Sequence, residues 1–476
     1  MKLTRWTMAL ALGAVMGIGP AMAEESSIAD QKDVAITVYN NNLALVKDRR
    51  AVKLGQGEVS LTFMDVAQQI RPETVSLRSV AEPGSLRIVE QNYEFDLMSP
   101  EKLMEKYVGK KVTLTNFYKE ISTTPSDAYP QSVEAELLSV NNGPIYKVGE
   151  KIYLGHPGNV VLPEIPGNLI AKPSLIWLLD NQSADQDLEV TYLTNGIQWT
   201  ADYVVTLMEK DSTMNVEGWV TLNNQSGAQY TNAQLKLVAG EVNIAPQPMA
   251  APMVMESRAK MAGAAVMDMA QESFSEYHLY TLPRRTTIKE NQSKQVSLLS
   301  AAGIKARKVY EYRGEQYYFF QQIGQMKDQK VASLLKFKNE EANQLGIPLP
   351  GGVMRVYQED SSGSLQFSGE DRIQHTPKDE EITLKLGNAF DIVADRTQTD
   401  YKIISTNVYE SAYEIEVRNH KDADIQVDIV EPMTSDWRIL EKSNEFVKRD
   451  AFTAVFSVNV PKNGSTKVTY RVQVRN

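Results

Sequence analysis

Glu189–Thr206, EVTYLTNGIQWTADYVVT, is the stretch whose reading decides the fold. Val190, Tyr192 and Leu193 lead into Thr194-Asn195-Gly196, and Trp199, Tyr203 and Val205 follow. β-branched and aromatic runs favour extended backbone, and Asn-Gly supplies the positive φ angles of a tight hairpin. The stretch therefore reads as strand, turn, strand, with Tyr192, Trp199 and Tyr203 as core side chains.

The same pattern extends in both directions. Val34–Tyr39 alternates apolar and polar residues, Ala51–Leu54 and Val59–Phe63 flank a Gly-rich turn, and short strand patterns continue to about Glu101. Val108–Pro166 holds five short strand patterns, enough for a small SH3-like barrel. At Pro348-Leu349-Pro350-Gly351-Gly352 a type II turn is expected to feed the strand Val353–Tyr357. Tyr401–Thr406, Tyr413–Arg418, Ile425–Val430, Ala454–Val460 and Lys467–Val474 read as a last sandwich. The expectation is a mainly β protein of antiparallel sandwich and small-barrel domains in tandem, with little helix. Its segments are a leader over 1–23, an N-terminal β domain over 24–105, the small barrel over 106–166, a central sandwich over 167–393 and a C-terminal sandwich over 394–476.

Composition bounds the setting. Lys2 and Arg5 precede an apolar run from Trp6 to Ile18, and Ala21-Met22-Ala23 offers small residues for cleavage before Glu24. This is the pattern of a secretory signal peptide; a membrane anchor needs a longer run, about 18 apolar residues or more. The expected location is periplasmic or secreted, with no transmembrane segment after cleavage. Loss of Lys2 and Arg5 takes the formal net charge from −10 down by two to −12. Nucleic acid and anionic lipid would repel such a chain. There is no cysteine, which excludes disulfides, a thiol nucleophile and Cys-ligated metal. Lys467–Arg475 alternates as an outer-membrane barrel strand would, but aromatic girdles are missing and a sandwich is the better reading.

Chemistry is sparse. The four histidines, His156, His278, His375 and His420, show no metal-ligand spacing, and only His375 lies in a segment of interest. No Gly-x-Ser-x-Gly occurs. Asp202, Glu370, Asp371 and Asp391 are carboxylates that glycan hydrolysis would require in pairs; loop capping and surface charge are the far commoner roles for such residues. Asp185-x-Asp187-x-Glu189 lacks the central Gly of a calcium loop. Pro246–Ser275 is a Met-, Ala- and Pro-rich insertion containing Met249, Met253, Met255, Met261, Met267 and Met269. Thioethers suit Cu(I), and Met also serves as an adaptable apolar contact. No cofactor is expected.

The spacing Tyr192-x3-Gly196-x2-Trp199-x3-Tyr203 resembles the signature of a bacterial secreted family known as domain of unknown function 4139, which includes mucoidy-inhibitor-A-like proteins. LPGGVMRVY (Leu349–Tyr357), GEDRIQHTP (Gly369–Pro377), LGNAFDIV (Leu386–Val393) and the pattern Glu431-Pro432-x4-Trp437 resemble it too. The opening ITVYNNNLALVKDRRAVKLGQGEVSLTF resembles that family's usual N-terminal partner domain. The resemblance implies no agreed catalytic residues. The expected role is a non-enzymatic binding or scaffold module contacting envelope proteins or polysaccharide. The alternatives are an envelope hydrolase using carboxylates such as Asp202 and Asp391, and a Cu(I)-handling protein using the Met-rich insertion. Because Trp199 is read as core, Trp199→Ala is expected to lower unfolding free energy by about 3–5 kcal/mol, measured by urea titration.

Overall fold

The computed structural model describes residues 23–117, 131–166, 169–208, 212–240, 242–243, 269–274, 276–433 and 436–475. Residues 1–22 of the expected leader lie outside them, as do Met249, Met253, Met255, Met261 and Met267. The protein is mainly β: thirty strands accompany a single α-helix, Pro100–Lys106, among the described residues. No described helix is long and apolar enough to cross a membrane. The chain forms two compact units. Among the described residues, the first is built from those up to Ile36, between Leu45 and Gly196 and from Gln225 to Ala233; the second from Thr37–Ala44, those between Ile197 and Asn224 and those from Gln234 onward.

In the first unit Ser174–Asn181 is the middle of a four-stranded sheet, between Gly57–Met64 and Leu86–Glu94, and Ala23–Ser26 joins Gly57–Met64 in parallel. Period-two alternation turns Leu175, Trp177 and Leu179 inward. The Trp177 indole N–H donates to Gln91 Oε1 at 2.7 Å, and the ring meets Phe63 edge-on. The fully buried Arg50 is tolerated because its donors are used: two bonds reach Asp48 Oδ2, one reaches Ser26 O, and the guanidinium lies 3.6 Å over the Phe63 ring. A separate antiparallel five-stranded sheet runs Lys151–Leu154, Ile145–Val148, Gln131–Ser139, Lys111–Phe117, Asn159–Val161. It encloses its own core of Val112, Leu114, Ala135, Leu137 and Tyr146.

The opening stretch behaves differently from the hairpin its Asn-Gly suggests. Asp185–Thr194 pairs with Ser76–Ser79, whereas Ile197–Leu207 pairs with Thr213–Asn224 and Gly352–Glu359. The turn thus carries the chain from one sheet to another. Only Gly196 has positive φ (+80°); a type I′ turn would need it at Asn195 as well. Asn195 is instead held by long-range bonds: its Oδ1 accepts from Arg71 Nε at 2.9 Å and its amide donates to Gln69 O. A Cβ on Gly196 would stand 2.7 Å from Gln225 O. The expected core side chains Tyr192, Trp199 and Tyr203 are all buried.

In the second unit the Ile197–Leu207 strand turns Trp199, Tyr203 and Val205 to the same side. The Trp199 indole donates to Val238 O, and the Tyr203 hydroxyl donates to Pro350 O at 2.8 Å. Tyr280 bonds Pro348 O at 3.0 Å. The Pro-rich connection is therefore held by its carbonyls; Gly351 lacks the positive φ of the expected type II turn. Gly352 follows because a Cβ there would sit 2.3 Å from Ala201 O.

Two very long strands organise the rest. Gln292–Arg313 pairs first with Thr213–Asn224 and then, from Ala306, with Gln325–Lys338. Glu381–Ser405 pairs with Gln325–Lys338 and, from Ile392, with Val408–Asn419. This strand runs unbroken past residue 393, and the C-terminal core draws on Tyr312, Phe319 and Val331 as well as on Tyr413, Phe456, Tyr470 and Val472. At the centre of that core Arg396 donates from Nη2 to Glu431 Oε1 and from Nε to the Tyr312 hydroxyl, with both charged side chains at 0% exposure. Tyr312, Tyr318 and Tyr413 present their rings to the guanidinium at 4.9–5.4 Å. Gly314 makes room, since a Cβ would stand 2.6 Å from Glu431 Oε2.

Breaking this pair strands a buried charge. Arg396→Met alone is expected to cost about 3–5 kcal/mol in urea unfolding, and Arg396→Met with Glu431→Leu to recover most of it. On the surface, hydrogen bonds from Lys402 and Arg471 hold the Asp400 carboxyl down at about 2. A lowered carboxylate contributes stability above its unfolded pKa and loses it as pH falls. The melting temperature should therefore drop between about pH 4 and pH 2, and less steeply in Asp400→Asn.

Candidate functional site

The strand Glu381–Ser405 keeps Gln325–Lys338 on one side as far as Thr397 and gains Val408–Asn419 on the other from Ile392, and its register is interrupted just before that point. Asn388 faces Ala332 and Val393 faces Lys330, so residues 389–392 stand opposite Val331 alone. Extra residues in one strand bend it and redirect its side chains. Here the bulge throws Phe390 outward to 95% exposure, on a strand whose neighbour Ile392 is fully buried. Gly387, at φ +149°, supplies the backbone freedom just before the bulge.

Beside it lies a cleft of about 240 Å³ lined by Leu386–Ala389 and by Lys308, Tyr310, Ser333, Gln358, Ser368 and Lys421. The far wall is Leu365–Ile373. Asp371 Oδ2 accepts from the Lys385 amide at 2.7 Å, and Gly369 packs so tightly that a Cβ would be 2.2 Å from Leu386 O. Two apolar side chains of the same strand, Phe367 and Leu365, are exposed. They are 57% and 55% exposed, and Phe367 meets Tyr357 edge-on at 5.7 Å. The third wall is the turn after Val408–Asn419. The Asn419 side-chain amide donates to the carbonyls of Ala423, Val460 and Pro461, and its Oδ1 accepts from the Lys421 amide. The His420 amide donates to Asp391 O at 2.8 Å, and Lys421 Nζ lies 3.5 Å from Asp391 Oδ2. The cleft is thus framed by hydrogen-bonded main chain and lined mostly by polar side chains.

The carboxylates singled out in the sequence are distributed among cations. Asp202 is buried, accepts from the Thr221 hydroxyl at 3.1 Å and lies 3.9 Å from Arg355 Nη1. Arg355 Nε also reaches Glu370 at 3.0 Å, so Asp202 and Glu370 share one guanidinium. Asp371 caps Lys385, and Asp391 faces Lys421. His375 accepts the Gly351 amide at Nδ1, 3.1 Å away, a bond that ties the Pro-rich connection to the strand end. Met269 is buried, with its amide donating to Leu298 O. Sequence reading missed Phe390, Lys421 and Asn419. An isolated Gly inside a strand pattern was the one local signal, at Gly387.

These elements define a mainly β protein with an exposed aromatic side chain beside a small, largely polar cleft. A family model described as domain of unknown function (DUF4139) matches residues 188–476, and the chain belongs to that family. The cleft, the Arg396–Glu431 pair and the Trp199 strand all fall inside the match; residues before 188 lie outside it. No curated protein matches the chain.

Proposed function

We propose that the protein is exported to the periplasm through its N-terminal leader and works there as a non-enzymatic module that docks another envelope protein. The observation that carries this reading is Phe390, an aromatic ring 95% exposed two residues before the fully buried Ile392. A fully hydrated phenyl ring is unfavourable unless something covers it. Phe367 and Leu365 are further exposed apolar side chains of the same unit, and the polar cleft next to Ala389 offers amide, hydroxyl and ammonium groups. Apolar anchors beside satisfied polar groups are how protein interfaces concentrate binding energy. Carboxylates shared among Arg355, Lys421 and the Lys385 amide act as braces for this frame. The leader pattern Lys2–Ala23 supports export, and the absence of cysteine suits a chain that needs no disulfide catalyst.

Replacing Phe390 with a photo-crosslinking phenylalanine analogue in export-competent cells tests the reading. A discrete protein adduct is expected, absent when the probe sits at Ile152, which is also exposed but lies in the other unit. The exported chain should begin at Glu24. Equal labelling at both positions, an adduct to polysaccharide alone, or an intact leader on cytosolic protein would sink it.

A further inference from the structure

The bond at which the leader is expected to be cut lies inside the fold. Ala23–Ser26 is an edge strand laid in parallel on Gly57–Met64, with Ala23 opposite Ser60 and Glu24 opposite Leu61. In a parallel ladder every second residue gives both its N–H and its C=O to the neighbouring strand. The peptide unit joining Ala23 to Glu24 consists of the Ala23 C=O and the Glu24 N–H. Whichever set of residues is the bonding one, the ladder therefore holds one of those two groups.

The residues that follow leave no slack. Glu24 Oε1 accepts from the Gly55 amide at 2.8 Å. Ser26 is fully buried, and its carbonyl accepts from Arg50 Nη1 at 3.1 Å, on the guanidinium that lies over Phe63. The Ile28 amide donates to Asp65 Oδ2 at 3.1 Å, and Ser27 and Asp30 cap each other in the turn that leads into Gln31–Tyr39. Peeling this strand away strips an acceptor from a fully buried arginine, which is a costly loss.

A protease takes its substrate as extended chain and pairs with its main chain. A bond already held in a ladder is cut only while the strand is open. Resting on the reading that residues 1–23 are an export leader, we infer that the leader is removed before Ala23–Ser26 docks, so that the chain crosses the membrane unfolded and the folded precursor is a poor substrate. Water adds across the Ala23–Glu24 bond, its oxygen to the Ala23 carbonyl carbon and a proton to the Glu24 nitrogen. The freed Glu24 end then closes the edge of the sheet. A spacer of unpaired residues after Ala23 would remove this order of events, because the bond could then be cut on folded chain.

The test uses the full-length precursor, unfolded in urea and diluted into detergent buffer. Purified bacterial signal peptidase is added either at once or after refolding, and the new N-terminus is read by mass spectrometry. Refolding is complete when the melting curve matches that of the chain beginning at Glu24. Folded precursor should be cleaved at least about tenfold more slowly than freshly diluted precursor, the factor that one hydrogen bond corresponds to. A flexible Gly-Ser spacer of about ten residues between Ala23 and Glu24 should restore fast cleavage of the folded chain. Equal rates before and after refolding, or slow cleavage that the spacer leaves unchanged, overturn this inference and leave export standing. A precursor that never reaches the mature melting curve overturns it too, because the leader then blocks the fold itself. Freshly diluted precursor that is not cut between Ala23 and Glu24 removes the leader reading, and this inference with it.

Discussion

The structure depends on one strand having to serve two partners. Glu381–Ser405 hydrogen-bonds to Gln325–Lys338 as far as Thr397 and, from Ile392, to Val408–Asn419 on its other side as well, and the first ladder breaks register just before the second begins. Main-chain groups in a sheet must be paired or face water. The mismatch is therefore absorbed locally, in residues 389–392, while Ile392 and Ala394 return at once to the core. The cost of the bulge is a few lost ladder bonds. Its consequence is an aromatic side chain in solvent, Phe390.

Such a bulge is only useful if its surroundings hold still. Three buried polar arrangements do this by connecting segments distant in sequence. Asn419 gathers three carbonyls and fixes Lys421. Asn339 does the same for the loop before the Pro-rich connection, donating to Ile347 O and Pro377 O and accepting from the Gly346 amide. Arg396 and Glu431 lock the C-terminal core from inside. A buried ion pair adds little net stability, but it penalises every packing in which the partners miss each other. Its place among tyrosines and next to Gly314 makes alternative packings of these strands costly.

The fold class was legible because strand formation leaves a period of two that burial enforces. Leu175-Trp177-Leu179 and Trp199-Tyr203-Val205 read inward in the sequence and lie inward in the molecule. Sheet membership was not legible. Asn195-Gly196 carries the local chemistry of a hairpin, yet Arg71, Gln69 and Gln225 recruit it for a crossover between sheets. Turn residues determine which backbone angles are cheap; which strands then pair is settled by burial on both sides.

The sequence by itself determined the β character, the leader pattern, the lack of cysteine chemistry and the family to which residues 188–476 belong. Those properties follow from composition and short-range pattern, which act within a few residues. Tertiary structure alone decided that Asp202 and Glu370 share Arg355, that Asp391 faces Lys421, and that Phe390 leaves the core while Ile392 enters it. The physical reason is that bulge placement and ion pairing depend on the register between segments tens to more than a hundred residues apart. No local propensity encodes that register.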